Sequence, residues 1–337
     1  MRIDMNNETA IAEMRRFQAD ASLVTDLGKT FVRTNDFELF RATVFQALEH
    51  REARLKAGVY EQKGVALIGP AGSGKSRIVE EVIREYTELT EATGGREFGT
   101  RIVSIVVPGR ASVKDTCKAI LKGLNYEIRG NRDEDTLWQR VMTQMKLNKV
   151  AALHLDEVQD SGRFKTGDSM ALFAKRFRNM MQDRDWPVCL ILSATPDAKE
   201  FINHDPTLTR RLKPIEMQDA SVKFEGPLLR EAILEMAAKL DLDDDGLTAE
   251  SEFIGCLIHA GANCFGLAME VAISALGEAR SEGEGKLHLG HFANVYYSRT
   301  NSDDENNPFL SSHWKTIDTR KAMDRYIAQR QSRAKNA

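Results

Sequence analysis

The stretch Leu67-Ile68-Gly69-Pro70-Ala71-Gly72-Ser73-Gly74-Lys75-Ser76 restricts the fold more than any other part of the 337-residue chain. It follows the apolar run GVALIG (64–69) and precedes SRIVEEVIREYTEL, where Ile78, Val79, Val82, Ile83 and Tyr86 recur on one helical face. A strand, a loop of the form G-x-x-x-x-G-K-S and a helix, in that order, is the context a phosphate-binding loop requires. Glycines let the backbone wrap closely around phosphate oxygens, while the amides and the helix N-terminus supply a positive field. Lys75 neutralises β- and γ-phosphate charge, and the Ser76 hydroxyl is a ligand for Mg²⁺. Gly69, Pro70, Ala71, Gly72, Ser73, Gly74, Lys75 and Ser76, with Arg77 behind them, therefore form the candidate nucleotide site. The base-reading sequence N-K-x-D of guanine-specific proteins is absent, NKVA at Asn148 being no match, and this favours ATP.

The alternation continues past the loop. TRIVSIVVP, VAALHLDE and WPVCLILSATP read as strands; SVKDTCKAILKGL, DTLWQRVMTQMKL and DSMALFAKRFRNMMQD read as helices. Strands separated by helices predict an α/β fold, a parallel sheet covered on both faces. From Phe224 the strand signals fade, and EGPLLREAILEMAAKL, AESEFIGCLIHAG and CFGLAMEVAISALGEARSEG read as an all-helical domain. The predicted organisation is a helical N-terminal extension (1–59), an α/β nucleotide-binding domain (60–222), a helical lid (223–300) and a C-terminal tail (301–337). In the tail, Phe309, Leu310, Trp314 and Ile317 follow the polar TNSDDENNP, a pattern suited to anchoring on a partner or else to docking on the chain's own lid.

A phosphate-binding loop needs a carboxylate strand to hold its metal, and VAALHLDE ends in Asp156-Glu157, about eighty residues downstream. Asp156 would hold Mg²⁺, and Glu157 would polarise an attacking water, so the pair indicates hydrolysis. In LILSATPD, Ser193 and Thr195 end an apolar strand where a hydroxyl can sense γ-phosphate; either could face inward. PTLTRRLKPIEM adds Arg210 and Arg211, cations placed to reach a neighbouring subunit's nucleotide or else to sit in solvent.

Hydrophobic residues make up 42% of the chain and charged residues 29%, near the averages for globular proteins. Runs such as VCLILSA are too short to span a bilayer and MRIDMNNETA has no apolar signal region, so a cytoplasmic protein without a membrane partner is expected. A net charge of −3 gives no global attraction to nucleic acid. Any DNA contact must come from a local basic surface. Cys117, Cys189, Cys256 and Cys264 lack paired ligand spacing and read as reduced and mostly buried, His288 and His291 have no third ligand and read as surface or packing residues, and His154, within an apolar strand, reads as core.

A phosphate-binding loop, an Asp-Glu strand, a Ser/Thr strand end, a following Arg and a helical lid together resemble an AAA+ ATPase core over about 60 to 300. FVRTNDFELF, GPAGSGKS, LHLDEVQD, ILSATPD, LTRRLKPIEM and NPFLSSHWKTID are similar to the TniB and TnsC type of transposition ATPase, and more distantly to MuB. The resemblance implies an Mg²⁺-dependent ATPase that forms a ring or helical filament on duplex DNA. It further implies recruitment of a DDE-class transposase, the partner on which the tail would anchor, and a target-selector protein of the TniQ type. It directs attention to Arg110, Lys114, Lys118 and Lys122 after the second strand, the three lysines four apart on one stripe, and to Arg163 and Lys165 after the acidic strand. One departure is that CFGLAMEV carries Gly266-Leu267 and no lid arginine. A secretion-related or signalling AAA+ ATPase that acts on protein without DNA would share the same core, whereas Glu157 and the helical lid disfavour a small-molecule kinase.

Overall fold

The computed structural model describes residues 14, 18, 21–109, 112–158 and 167–336. They divide into two compact units. One comprises Asn35–Pro70 and Lys75–Gln218; the other gathers the described residues up to Thr34, Ala71–Gly74 and those from Asp219 onward.

The first unit is the predicted α/β fold. Helix α1 (Asn35–Lys56) leads into β1 (Gly64–Ile68), α2 (Lys75–Ala92), β2 (Arg101–Val106), α3 (Val113–Gly123), α4 (Glu134–Leu147), β3 (Val150–Asp156) and α5 (Gly167–Met180). Then follow β4 (Cys189–Ala194), the short helices α6 (Ala198–His204) and α7 (Pro206–Thr209), and β5 (Leu212–Glu216). The sheet order is β2-β3-β4-β1-β5, and every pairing is parallel. β1, β3 and β4 are buried along their whole length, as a sheet covered on both faces demands, whereas the edge strand β2 alternates buried and exposed positions. Ser112 and Asp115 close a capping box at the start of α3, and Asp133 caps α4 by accepting from the Thr136 N–H. β5 was not legible as a strand: LKPIE carries Pro214, which the outer edge of the sheet tolerates.

The α/β unit begins at Asn35, not at 60 as the sequence suggested. α1 is part of it because Phe37, Phe40, Val44 and Leu48 are buried and because Arg51, only 1% exposed, ties it across the chain. The Arg51 guanidinium donates to the carbonyls of Pro187 and Phe98, each at 2.9 Å, and lies over the Trp186 ring. Glu52 accepts from the backbone N–H groups of Glu97 and Phe98. No local pattern announces such contacts.

The second unit is helical: α8 (Gly226–Lys239), α9 (Ser251–Ala260), α10 (Phe265–Glu282), α11 (Leu289–Thr300) and α12 (Thr319–Asn336). Its own core includes Leu229, Ile233, Leu257, Ala272, Leu276, Phe292 and Tyr296. The segment after α11 is docked on this unit, which corrects its reading as a free anchor. Phe309 is 5% exposed and packs on Phe292 and Tyr296, Asn307 donates to the Ala293 carbonyl at 2.9 Å, and Trp314 lies against Gly255 and His259. Met323 of α12 is fully buried. The apolar residues that looked free in sequence cover the unit's own surface, and of the large ones only Leu310 stays mostly exposed, at 52%. Among the described residues no single helix is long and apolar enough to cross a membrane.

Candidate nucleotide and metal site

β1, β3 and β4 end side by side at the carboxyl edge of the sheet, the edge at which open parallel sheets bind ligands. The loop leaving β1 is glycine-rich because its backbone requires it. Gly72 and Gly74 have φ of +78° and +100°, a region that side chains avoid. α2 starts at Lys75, so the N–H groups of its first turn, which have no acceptor within the helix, sit at the loop. The Lys75 ammonium donates to the carbonyls of Gly69 at 2.9 Å and Pro70 at 2.8 Å, and the residue is 5% exposed. Arg77, one residue past Ser76, is exposed.

Ser76 and Asp156 meet. The Ser76 hydroxyl donates to Asp156 Oδ2 at 2.8 Å, joining residues eighty apart in sequence. Asp156 Oδ1 accepts from the Glu157 N–H at 3.0 Å and from the Ser193 hydroxyl. Parallel register sets Ser193 beside Asp156, so the β4 hydroxyl reaches the β3 carboxylate. Glu157 leaves the strand with φ of +56°, a left-handed turn that costs a non-glycine residue on the order of 1–2 kcal/mol. Strain of this kind concentrates at functional sites. Thr195, two residues beyond Ser193, is half-buried.

The residues fit ATP and Mg²⁺. A hydroxyl and a carboxylate at one point are the hard oxygen donors that Mg²⁺ takes, and one or two protein ligands suffice when phosphates complete the shell. The glycine cradle, the helix start and Lys75 supply the donors and positive charge that a triphosphate needs. Among the described residues no group of three or more His, Cys, Asp or Glu could hold a metal ion. His291 instead accepts from the His288 N–H and pairs with Glu282. Burial pushes the His154 imidazole down from its ordinary value, against the opposing pull of the Asp156 carboxylate.

The two arginines after α7 part company. Arg211 is 2% exposed; its guanidinium donates to the Thr207 carbonyl at 2.6 Å and pairs with Glu61 at 3.2 Å. Arg210 is exposed. Of the two arginines the sequence offers as cations for a neighbour, Arg211 is thus held inside its own chain, because it leads into β5, which pairs with β1. The four named basic positions on and before α3 divide likewise. Lys114 donates to Asn131 at 3.0 Å, Lys118 pairs with Asp115 at 3.4 Å, Lys122 is exposed, and Arg110 lies outside the described residues. Arg163 and Lys165 also lie outside them.

The missing lid arginine has a counterpart in packing. The loop tip Ala71–Gly74 groups with the helical unit, where a Cβ on Gly266 would come within 2.5 Å of the Gly72 carbonyl oxygen and 3.0 Å of the Gly74 nitrogen. Only glycine permits that approach. Sequence reasoning missed this role of Gly266, together with the pairing of Glu61 with Arg211, since no motif marks them.

The fold recurs in solved structures of low sequence identity. The Aeropyrum pernix ORC2 protein in its ADPNP–ADP complexes is similar at 13% identity and a TM-score of 0.55, over 76% of this chain and 67% of that one. The Aeropyrum pernix ORC1 protein in complex with DNA is similar at 16% identity and a TM-score of 0.53, over 77% and 65% respectively. The chain thus spans about two thirds of the length of these relatives. No curated protein matches it in sequence. The family model described as Bacterial TniB protein matches residues 40–221, which cover the glycine loop, the Asp156-Glu157 strand end and both arginines. With an AAA+ fold around that site and a family match over more than half its length, the chain belongs to the TniB family.

Proposed function

We propose that the protein is an Mg²⁺-dependent ATPase that assembles with ATP on duplex DNA and controls target selection and transposase recruitment in DNA transposition. The observation that carries the ATPase reading is the meeting of Ser76, Asp156 and Ser193 beside the glycine loop. Bound Mg-ATP supplies a γ-phosphoryl group open to attack by water. Lys75 neutralises charge on the β- and γ-phosphates, and Ser76 and Asp156 hold the metal. Glu157 accepts the proton of the attacking water. Because the Ser193 hydroxyl is engaged by Asp156, Thr195 is the strand-end residue for sensing the γ-phosphate. Arg210, exposed where Arg211 is not, is the cation offered to a neighbouring subunit of a homo-oligomer, ring or filament, of the kind the TniB resemblance implies.

Membership of the TniB family supports the DNA side of this reading: duplex DNA, a DDE-class transposase and a TniQ-type selector as partners. Lys114, Lys118 and Lys122 on α3 form its candidate phosphate-contacting surface; Arg110 before them in sequence and, as a second candidate, Arg163 and Lys165 lie outside the described residues. Electron microscopy of the protein with duplex DNA and a non-hydrolysable ATP analogue tests it. Ordered oligomers on DNA are expected with the analogue and not without it, nor with Lys75→Ala. ATP hydrolysis with no DNA binding at any salt concentration would instead favour a remodeller of protein partners.

A further inference from the structure

The hydrogen bonds around Asp156 continue beyond Ser193. His154, 2% exposed, lies two residues before Asp156 on β3 and faces strands on both sides. Its Nε2 is 2.8 Å from Ser193 Oγ and its Nδ1 is 2.8 Å from Ser104 Oγ, Ser104 standing opposite it in the β2 register.

Proton counting sets the direction of the two bonds nearest the carboxylate. Ser193 has one hydroxyl proton and gives it to Asp156 Oδ1. Its oxygen must therefore accept from His154 Nε2–H. In the Nε2–H tautomer Nδ1 carries a lone pair, which accepts from the Ser104 hydroxyl at 2.8 Å. Donation runs one way across three strands, from Ser104 to His154 to Ser193 to Asp156, while Ser76 engages the other carboxylate oxygen.

We infer that Ser104 and His154 are positioning residues for the metal-holding carboxylate. By fixing Oδ1 through Ser193 they hold Oδ2 toward Ser76, so Mg²⁺-dependent nucleotide binding depends on two side chains that touch neither metal nor nucleotide. The inference rests on the ATP-site reading. Partners that orient a ligating carboxylate are worth roughly 10- to 100-fold in metal affinity.

The test is a titration of Mg²⁺ against a fluorescent ATP analogue bound to the full chain, for wild type, Ser104→Ala, His154→Leu and His154→Gln. Binding in EDTA should be equal in all four, because the loop and Lys75 are unchanged. The Mg²⁺ midpoint should rise about 10-fold or more in His154→Leu. It should rise less in Ser104→Ala, and His154→Gln, whose amide N–H can replace Nε2–H, should recover most of the loss. Ser104 is exposed, so its variant tests the relay without threatening the fold. Long-range ¹H–¹⁵N NMR should find His154 as the Nε2–H tautomer. Unchanged midpoints in folded His154→Leu and Ser104→Ala, or an Nδ1–H tautomer, would overturn the relay. A wild type without Mg²⁺-dependent nucleotide binding would instead remove the ATP reading, and the tautomer would still decide the relay.

Discussion

Phe309→Ala should destabilise the helical unit by about 3 kcal/mol. Buried Phe→Ala changes cost roughly 3–5 kcal/mol, and the lower end applies because Phe309 sits in a connecting segment that can partly collapse into the gap. Its ring is 5% exposed, with centroids 5.6 Å from Phe292 and 6.3 Å from Tyr296, so the loss includes aromatic pairing of about 0.5–1.5 kcal/mol per pair. For a unit of this size the change corresponds to a fall of roughly 10 °C in melting temperature. Differential scanning calorimetry reads it directly, with Leu310→Ala, at a position 52% exposed, as the control expected to move by less than about 2 °C. Equal, small shifts in both variants would refute the docked tail and restore the free partner-binding anchor.

Arg211→Ala should lower stability by about 2 kcal/mol through loss of its bonds to Thr207 and Glu61, whereas Arg210→Ala should leave melting unchanged. Mixing Arg210→Ala with Lys75→Ala subunits should restore hydrolysis at mixed interfaces, and failure to do so in assembled oligomers would contradict action in trans. Burial pushes the thiols of Cys117, Cys189 and Cys256 up to about 12 from an ordinary value near 9. Between those values the unfolded chain releases protons that the folded chain keeps, so this contribution to stability is intact below pH 9 and declines as pH rises toward 12. A thiol reagent at pH 8 should react slowly with native protein, and rapid stoichiometric labelling would count against the burial. Replacing Lys114 and Lys118 by Ala should weaken DNA binding alike for all sequences and reduce the salt slope by about one per lost phosphate contact. An unaltered slope would move the DNA surface elsewhere.

The site was legible where chemistry forces a local pattern. The glycine loop announced itself because a phosphate cradle demands Gly72 and Gly74 at positive φ, and β3 because an apolar run turns to carboxylates at its end, at Asp156 and Glu157. What escaped was set by tertiary contact. Arg51 looks like any surface arginine until Pro187 and Phe98 offer it their carbonyls, and it takes α1 into the α/β unit. Arg210 and Arg211 are adjacent and alike, yet β5 buries one, and β5 itself was hidden by Pro214. The tail misled for a related reason. Apolar residues after a polar linker look the same whether they cover a partner or, like Phe309, the chain's own helices.

Lys75, Ser76, Asp156 and Glu157 are proposed to form one ATP-hydrolysing site, and single-turnover phosphate release decides whether they do. Wild type and Glu157→Gln should bind Mg-ATP alike, each gaining about 2.7 kcal/mol of stability at a hundred times Kd. Only wild type should release phosphate, because the amide cannot take a proton from water. Phosphate release by Glu157→Gln at the wild-type rate would contradict the account.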